Sequence, residues 1–130
     1  MKKYAVIGNP VHHSLSPIIH AQFAEQFGLS ISYEKILSPI GNFAKDSIEF
    51  IDSGGLGFNI TLPYKVNAYE FSNNHTSNAK AAGAVNTIKV ENNEIVGDNT
   101  DGVGLINDFI NNLQQSFEGK EVLIIGAGGA

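Results

Sequence analysis

The sequence predicts an α/β domain, a sheet covered by helices on both faces in three layers. Three observations point there. Short apolar runs alternate along the chain with segments of helical spacing, the pattern of strands joined by helical connections. Gly and Pro fall at the joins between these segments rather than inside them, as turn residues do. And 130 residues, 42% hydrophobic and 16% charged, bury enough surface for one core without disulfide or metal support. The same composition excludes a disordered chain, a collagen repeat and a coiled coil.

The elements follow in order. Tyr4-Ala5-Val6-Ile7-Gly8 is a short apolar run ending in glycine, the mark of a buried strand. Ser16-Pro17 then opens a helix, with Ser16 expected as its N-cap and Pro17 at the first helical position. Ile18, Ile19, Phe23 and Phe27 recur near helical spacing and Gly28 closes the element. Residues 31–37 read as a strand, 43–52 as a helix stopped at Gly54-Gly55, and 56–60 as a further apolar strand. Leu62-Pro63 begins a short helix carrying Lys65, and 77–82 is a helix ended by Gly83. Residues 85–90 and 94–96 flank Asn92-Asn93, a pair suited to a type I′ hairpin turn. Residues 100–113 predict the longest amphipathic helix, with Val103, Ile106, Phe109, Ile110 and Leu113 inward. Residues 121–125 predict a last apolar strand leading into Gly126-Ala127-Gly128-Gly129-Ala130. The polar stretch 114–120 marks a boundary: 1–116 as one domain, and 117–130 as the first strand and glycine loop of a second. On this reading the sequence is the front half of a larger protein.

Several functional classes drop out. There is no cysteine, so neither a disulfide nor a thiolate site exists. The apolar run after Met1-Lys2-Lys3 is too short for a signal peptide and no stretch reaches the length of a membrane span, so an unexported, cytoplasmic protein is expected. Without export, the sequons Asn59-Ile60-Thr61 and Asn74-His75-Thr76 carry no meaning. A net charge of −5 argues against nucleic acid as a partner, while leaving room for a small anion at a local positive site. His12, His13, His20 and His75 lack the spacing of a metal site, and no metal is expected.

The remaining polar clusters carry the chemistry, each with a plain structural alternative. Ser14-Leu15-Ser16-Pro17 offers two hydroxyls at a helix start, either an anion cradle or an ordinary cap. In residues 59–65 a buried strand yields to a helix, where ligands gather in open α/β sheets. Asn59 and Thr61 alternate around Ile60, and Lys65 follows on the first helical turn, where it could equally be a solvated lysine. Asn86 could be a strand-edge amide, and Asp101 an acid favoured in a first turn after Thr100. The closing glycine run matches the opening of a dinucleotide fingerprint or a tight turn.

Taken in order, Gly8-Asn9-Pro10 with Ser14-Leu15-Ser16-Pro17, Asn59 through Lys65, Gly83-Ala84-Val85-Asn86-Thr87, and Gly97-Asp98-Asn99-Thr100-Asp101-Gly102 closely resemble the shikimate dehydrogenases. The likeness covers essentially the whole chain: the substrate-binding domain of that family and the first strand of its Rossmann domain. It implies a twisted, mostly parallel sheet between helices, and an NADP-dependent enzyme interconverting 3-dehydroshikimate and shikimate in aromatic amino-acid biosynthesis. By the same resemblance Ser14 and Ser16 bind the substrate carboxylate, and Thr61, Lys65, Asn86 and Asp101 surround the ring hydroxyls beside Asn59. Lys65 and Asp101 are the catalytic pair, and Gly126, Ala127, Gly128, Gly129 and Ala130 begin the cofactor loop. A homodimer is an implied assembly. At Ser77, where many relatives carry an acid, the chain departs and no role transfers. The alternatives are a shikimate-binding module without catalysis and a quinate-accepting relative.

Overall fold

The computed structural model describes residues 1–129. β1 (Lys2–Gly8) is followed by α1 (Ser16–Gln26), β2 (Ile31–Leu37), α2 (Phe43–Asp52) and β3 (Gly55–Ile60). Then come α3 (Lys65–Phe71), the two-residue β4 (Asn74–His75), α4 (Ser77–Ala82), β5 (Thr87–Glu91), β6 (Glu94–Asp98) and α5 (Asp101–Asn107). The sheet has six strands in the order β2-β1-β3-β5-β6-β4. β1 runs parallel to β2 and β3, and β4 parallel to β6, while β5 runs antiparallel to both β3 and β6. The predicted α/β sandwich is therefore present with a mixed sheet, parallel in three of its five pairings.

The reversal at β5 positions the functional residues. Thr87 pairs with Asn59 on one side and Asp98 on the other. The start of β5 therefore shares one sheet edge with the carboxyl ends of β1, β3 and β6. Everything that follows those strand ends, from Ser14 to Asp101, gathers along that edge.

Alternation along the strands sorts the two faces. Ala5, Ile7, Phe58, Ile60 and Ile88 point to one side, where they meet Phe43 and Phe50 of α2, Tyr64, Ala68 of α3, Ala79 of α4 and Val85. Ring pairs knit this layer, Phe43 stacking on Tyr64 at 5.2 Å and Phe50 meeting Phe58 edge-on at 5.8 Å. Among the described residues the opposite face carries α1 alone, laid over β1 and β2. α1 buries only Ala24, and Ile18, Ile19, Phe23 and Phe27 stay exposed. One helix cannot cover six strands, and a cavity of about 370 Å³ remains between α1 and residues such as Tyr4, Ile31 and Tyr33.

The local signals at turns act as expected. Gly83 ends α4 in the left-handed conformation at φ 61°, which a residue without Cβ adopts freely. Asn92 and Asn93 take φ of 52° and 64°, as a type I′ turn requires. At the end of β1, Gly8 is buried, and a Cβ there would collide with Thr61 Cγ2 in the loop after β3.

Three expectations are corrected. Ser16 is the first residue of α1 and not its cap; Leu15 flanks the helix, and the Ser16 N–H donates to Ser14 Oγ at 3.3 Å. The predicted helix 100–113 is α5, seven residues long, followed by a single π-type turn at Asp108–Asn112. Of its apolar side only Phe109 finds a partner, stacking on Phe117 at 4.4 Å, and Val103, Ile106, Ile110 and Leu113 are exposed. Gly102 and Gly104 add intrinsic weakness. Residues 121–125 form no strand: no described strand pairs with them, and Leu123, Ile124 and Ile125 are more than four-fifths exposed. A parallel strand has no hydrogen bonds of its own and exists only beside a neighbour. No helix among the described residues is long and apolar enough to cross a membrane.

Candidate active site

Ser14, Ser16, Asn59, Thr61, Lys65, Asn86 and Asp101 line one cavity of about 340 Å³ at the sheet edge, joined there by His13 and His20. All seven residues singled out for a substrate therefore converge. The larger cavity under α1 is walled mostly by apolar surface; this smaller one is walled by convergent donors and acceptors.

Each residue is held from its own element. Ser14 sits in the loop after β1 with its N–H on the Val11 carbonyl at 3.1 Å, and its hydroxyl lies 3.1 Å from that of Ser16. Thr61 leaves β3 with its N–H on the Ile7 carbonyl at 3.0 Å. Lys65 is the first residue of α3, and its carbonyl accepts from the Val85 N–H at 2.8 Å. The Asn86 carbonyl accepts from the Ile60 N–H at 2.8 Å, so the residue is fixed to the strand opposite. Asp101 opens α5 and is braced by Asn99, only 4% exposed, whose side chain accepts from the Asp101 N–H at 3.0 Å and donates to the Ala84 carbonyl at 3.1 Å.

Lys65 Nζ and Asp101 Oδ2 form a salt bridge of 2.7 Å, with side chains 16% and 31% exposed. The other ion pairs among the described residues, Lys45–Glu49 and Lys89–Glu91, lie in open solvent. Asn86 Nδ2 donates to the second carboxylate oxygen, Asp101 Oδ1, at 2.8 Å. Both oxygens of Asp101 are thus directed, and the ammonium keeps donors for a ligand. Behind the opposite wall, His20 stacks on Tyr33 with ring centres 4.4 Å apart. Burial lowers the His20 imidazole below its ordinary 6.5, with the Asn59 side chain opposing in part. Burial pushes the Tyr33 hydroxyl up to about 12, the Ser16 side chain opposing.

The glycine run behaves unevenly. Gly126, Ala127 and Gly128 are exposed and do not line the cavity. Gly129 does reach the site from outside: a Cβ there would come 2.9 Å from Lys65 Cβ and 3.6 Å from Ala84 Cβ. Ala130 lies outside the described residues. Sequence reasoning missed Tyr33, Thr87, Asn99 and His20; all but His20 stand in strands or loops whose partners are distant in sequence.

Comparison with known proteins follows this geometry closely. Residues 6–88 match the shikimate dehydrogenase substrate binding domain. A shikimate dehydrogenase (NADP(+)) of Ruthia magnifica is 55% identical over the whole chain, which aligns with 49% of that protein. The chain thus spans about half the length of the curated relatives it matches. Among solved structures, an Ael1 enzyme from Pseudomonas putida superposes with a TM-score of 0.94 at 38% identity, over 99% of this chain and 48% of that one. Shikimate 5-dehydrogenase from Thermus thermophilus in complex with shikimate gives 0.89 at 34% identity, over 99% and 49%.

Proposed function

The chain belongs to the shikimate dehydrogenase family through its substrate-binding domain, and on that premise we propose that it is the substrate-binding half of an NADP-dependent enzyme reversibly reducing 3-dehydroshikimate to shikimate in aromatic amino-acid biosynthesis. The observation that carries this reading is one cavity holding a pair of hydroxyls and a shielded Lys65–Asp101 ion pair. A cyclohexene acid bearing a carboxylate and a ketone needs those two kinds of partner.

Residues 1–116 are the substrate-binding domain and 117–130 the start of the cofactor domain. Gly126, Ala127, Gly128 and Gly129 fit the opening of a dinucleotide loop. Their backbone carries little that would hold a pyrophosphate away, and Gly129 closes against Lys65 where a side chain would not fit. NADPH, when bound, supplies the hydride.

The chain's own residues do the rest. Ser14 and Ser16 donate hydroxyl hydrogen bonds to the carboxylate and fix the ring. Asn59, Thr61 and Asn86 take the ring hydroxyls. Lys65 stands at the reacting oxygen, and as the carbonyl becomes an alkoxide its ammonium gives that oxygen a proton. Asp101 holds Nζ in place through the transfer, and the lysine regains a proton from water. In the reverse direction the amine takes the hydroxyl proton. Such general acid–base work contributes about 10²- to 10⁴-fold to the rate. As an enzyme of biosynthesis the protein belongs in the cytoplasm. A homodimer, for which the exposed apolar side of α1 offers surface, is tested by sedimentation.

The functional test is an NMR titration of the isotope-labelled chain with shikimate, with quinate as comparison. Saturable shifts at Ser16, Lys65, Asn86 and Asp101 are expected. A dispersed spectrum that shikimate leaves unmoved overturns the substrate assignment.

A further inference from the structure

A chain of hydrogen bonds runs behind the cavity from β2 to α5, and every donor in it points the same way. The Tyr33 hydroxyl donates to Asn59 Oδ1 at 2.7 Å. Asn59 Nδ2 donates to Thr87 Oγ1 at 3.1 Å, and the Thr87 hydroxyl to Asn86 Oδ1 at 2.9 Å. Asn86 Nδ2 donates to Asp101 Oδ1 at 2.8 Å, and Lys65 closes on Asp101 Oδ2. The carboxylate is the terminal acceptor. Two amides lie in series, each accepting through oxygen and donating through nitrogen, so their dipoles add.

The direction is not free to reverse. The Thr100 backbone N–H, a donor only, also points at Asn86 Oδ1 from 3.0 Å, which turns the Asn86 nitrogen toward Asp101. Tyr33 keeps its proton, since burial holds its hydroxyl well above neutral pH, and its ring is clamped on His20. Donors aligned in series polarise one another, strengthening each bond by roughly 10–30%. Neither Tyr33 nor Thr87 lines the cavity. Thr87 meets the site through the amides it holds, and Tyr33 through Asn59, the Ser16 side chain and the His20 ring.

We infer that Tyr33 and Thr87 are positioning residues, the head and the central link of a polarised hydrogen-bond chain that orients Asn59 and Asn86 and aims the Asp101 carboxylate at Lys65. This deepens the proposed function, resting on Lys65 and Asp101 as its acid–base pair.

The test reads the side-chain amide resonances of Asn59 and Asn86 in the isotope-labelled chain. Tyr33→Phe, which keeps the ring and removes the hydroxyl, should move both amides upfield although Tyr33 is bonded to only one of the two, that of Asn59. Thr87→Val should move Asn86 and abolish the further effect of Tyr33→Phe on it; Thr87→Ser should restore the coupling. An Asn86 amide unmoved by Tyr33→Phe, or moved equally with and without the Thr87 hydroxyl, overturns the chain. Preserved backbone dispersion separates these results from misfolding, and Tyr33→Phe with Thr87→Ser decides the matter should Thr87→Val not fold. Shikimate affinity should fall about two- to thirtyfold in Tyr33→Phe, the range for coupling through such networks. An unchanged affinity overturns the positioning role. Failure of the unsubstituted chain to bind shikimate counts instead against the functional reading, and the amide resonances still decide the chain.

Discussion

Replacing Lys65 by Met and Asp101 by Asn, singly and together, measures how far the salt bridge holds the site. Lys65→Met keeps the aliphatic stem and removes the charge; Asp101→Asn keeps the shape. The pair is 2.7 Å long with side chains 16% and 31% exposed, between two measured regimes. Exposed pairs are worth about 0.2–1 kcal/mol, and breaking a fully buried pair costs about 3–5 kcal/mol. Asp101 also loses part of its partnership with Asn86 when it becomes an amide. Each single substitution should therefore cost about 1–3 kcal/mol, and the double substitution should cost less than their sum by about 1–2 kcal/mol. Urea unfolding followed by circular dichroism reads this directly, since about 1 kcal/mol displaces the midpoint by roughly 0.5 M. The coupling should survive added salt, because partly buried charges are poorly screened. Additivity within about 0.5 kcal/mol would refute the reasoning: the ammonium would then have no fixed counter-charge, and Asp101 could not steer it.

Other perturbations follow from the same geometry. Ser16→Ala removes one hydroxyl from the proposed carboxylate cradle, and hydrogen bonds to charged groups are worth about 1.5–3 kcal/mol. Shikimate affinity by calorimetry should fall about ten- to a hundredfold, and a change under twofold would dismiss the cradle. Gly8→Ala drives a Cβ into Thr61 and toward the Leu62 carbonyl, 3.2 Å away; chemical denaturation should show a loss of about 1–3 kcal/mol, typical of overpacking. His20 is held below 6.5, so under acid conditions the unfolded chain binds the extra proton. The stability difference between the protein and His20→Leu should stay flat above about 6.5 and decline as pH falls below it. Tyr33 gives the alkaline counterpart: its hydroxyl titrates at about 12 instead of 10.0. Stability should drop as pH rises through that interval, and Tyr33→Phe should lack that component.

What the sequence could tell depended on the range of the interactions. The bounds of α2 and α4, the left-handed Gly83 and the Asn92-Asn93 turn are local matters, and local signals were enough. The seven polar residues around the cavity stood out as clusters beside turns and helix starts, but local pattern left each an ordinary alternative, and it was the resemblance of their motifs to the shikimate dehydrogenases that singled them out. Tyr33 was not, since its role exists only once β2 and β3 lie on either side of β1. β4 is two residues long, too short to leave a pattern. The stretches 100–113 and 121–125 failed for the opposite reason: their apolar pattern is strong, but such a pattern states only that a face wants a partner. Among the described residues the first face has only the Phe109–Phe117 stack and the second has no strand beside it, and exposed apolar side chains cannot support a long helix or a lone strand.

Gly8 has a consequence beyond packing. Threonine is chiral at Cβ, so whichever wall receives its methyl decides where its hydroxyl looks. At position 61 the methyl lies over the bare α-carbon of Gly8, and the hydroxyl cannot share that side. The handedness of one group offered to the cavity is thus written by an atom that another strand lacks. A serine at 61 would keep the oxygen and lose the instruction.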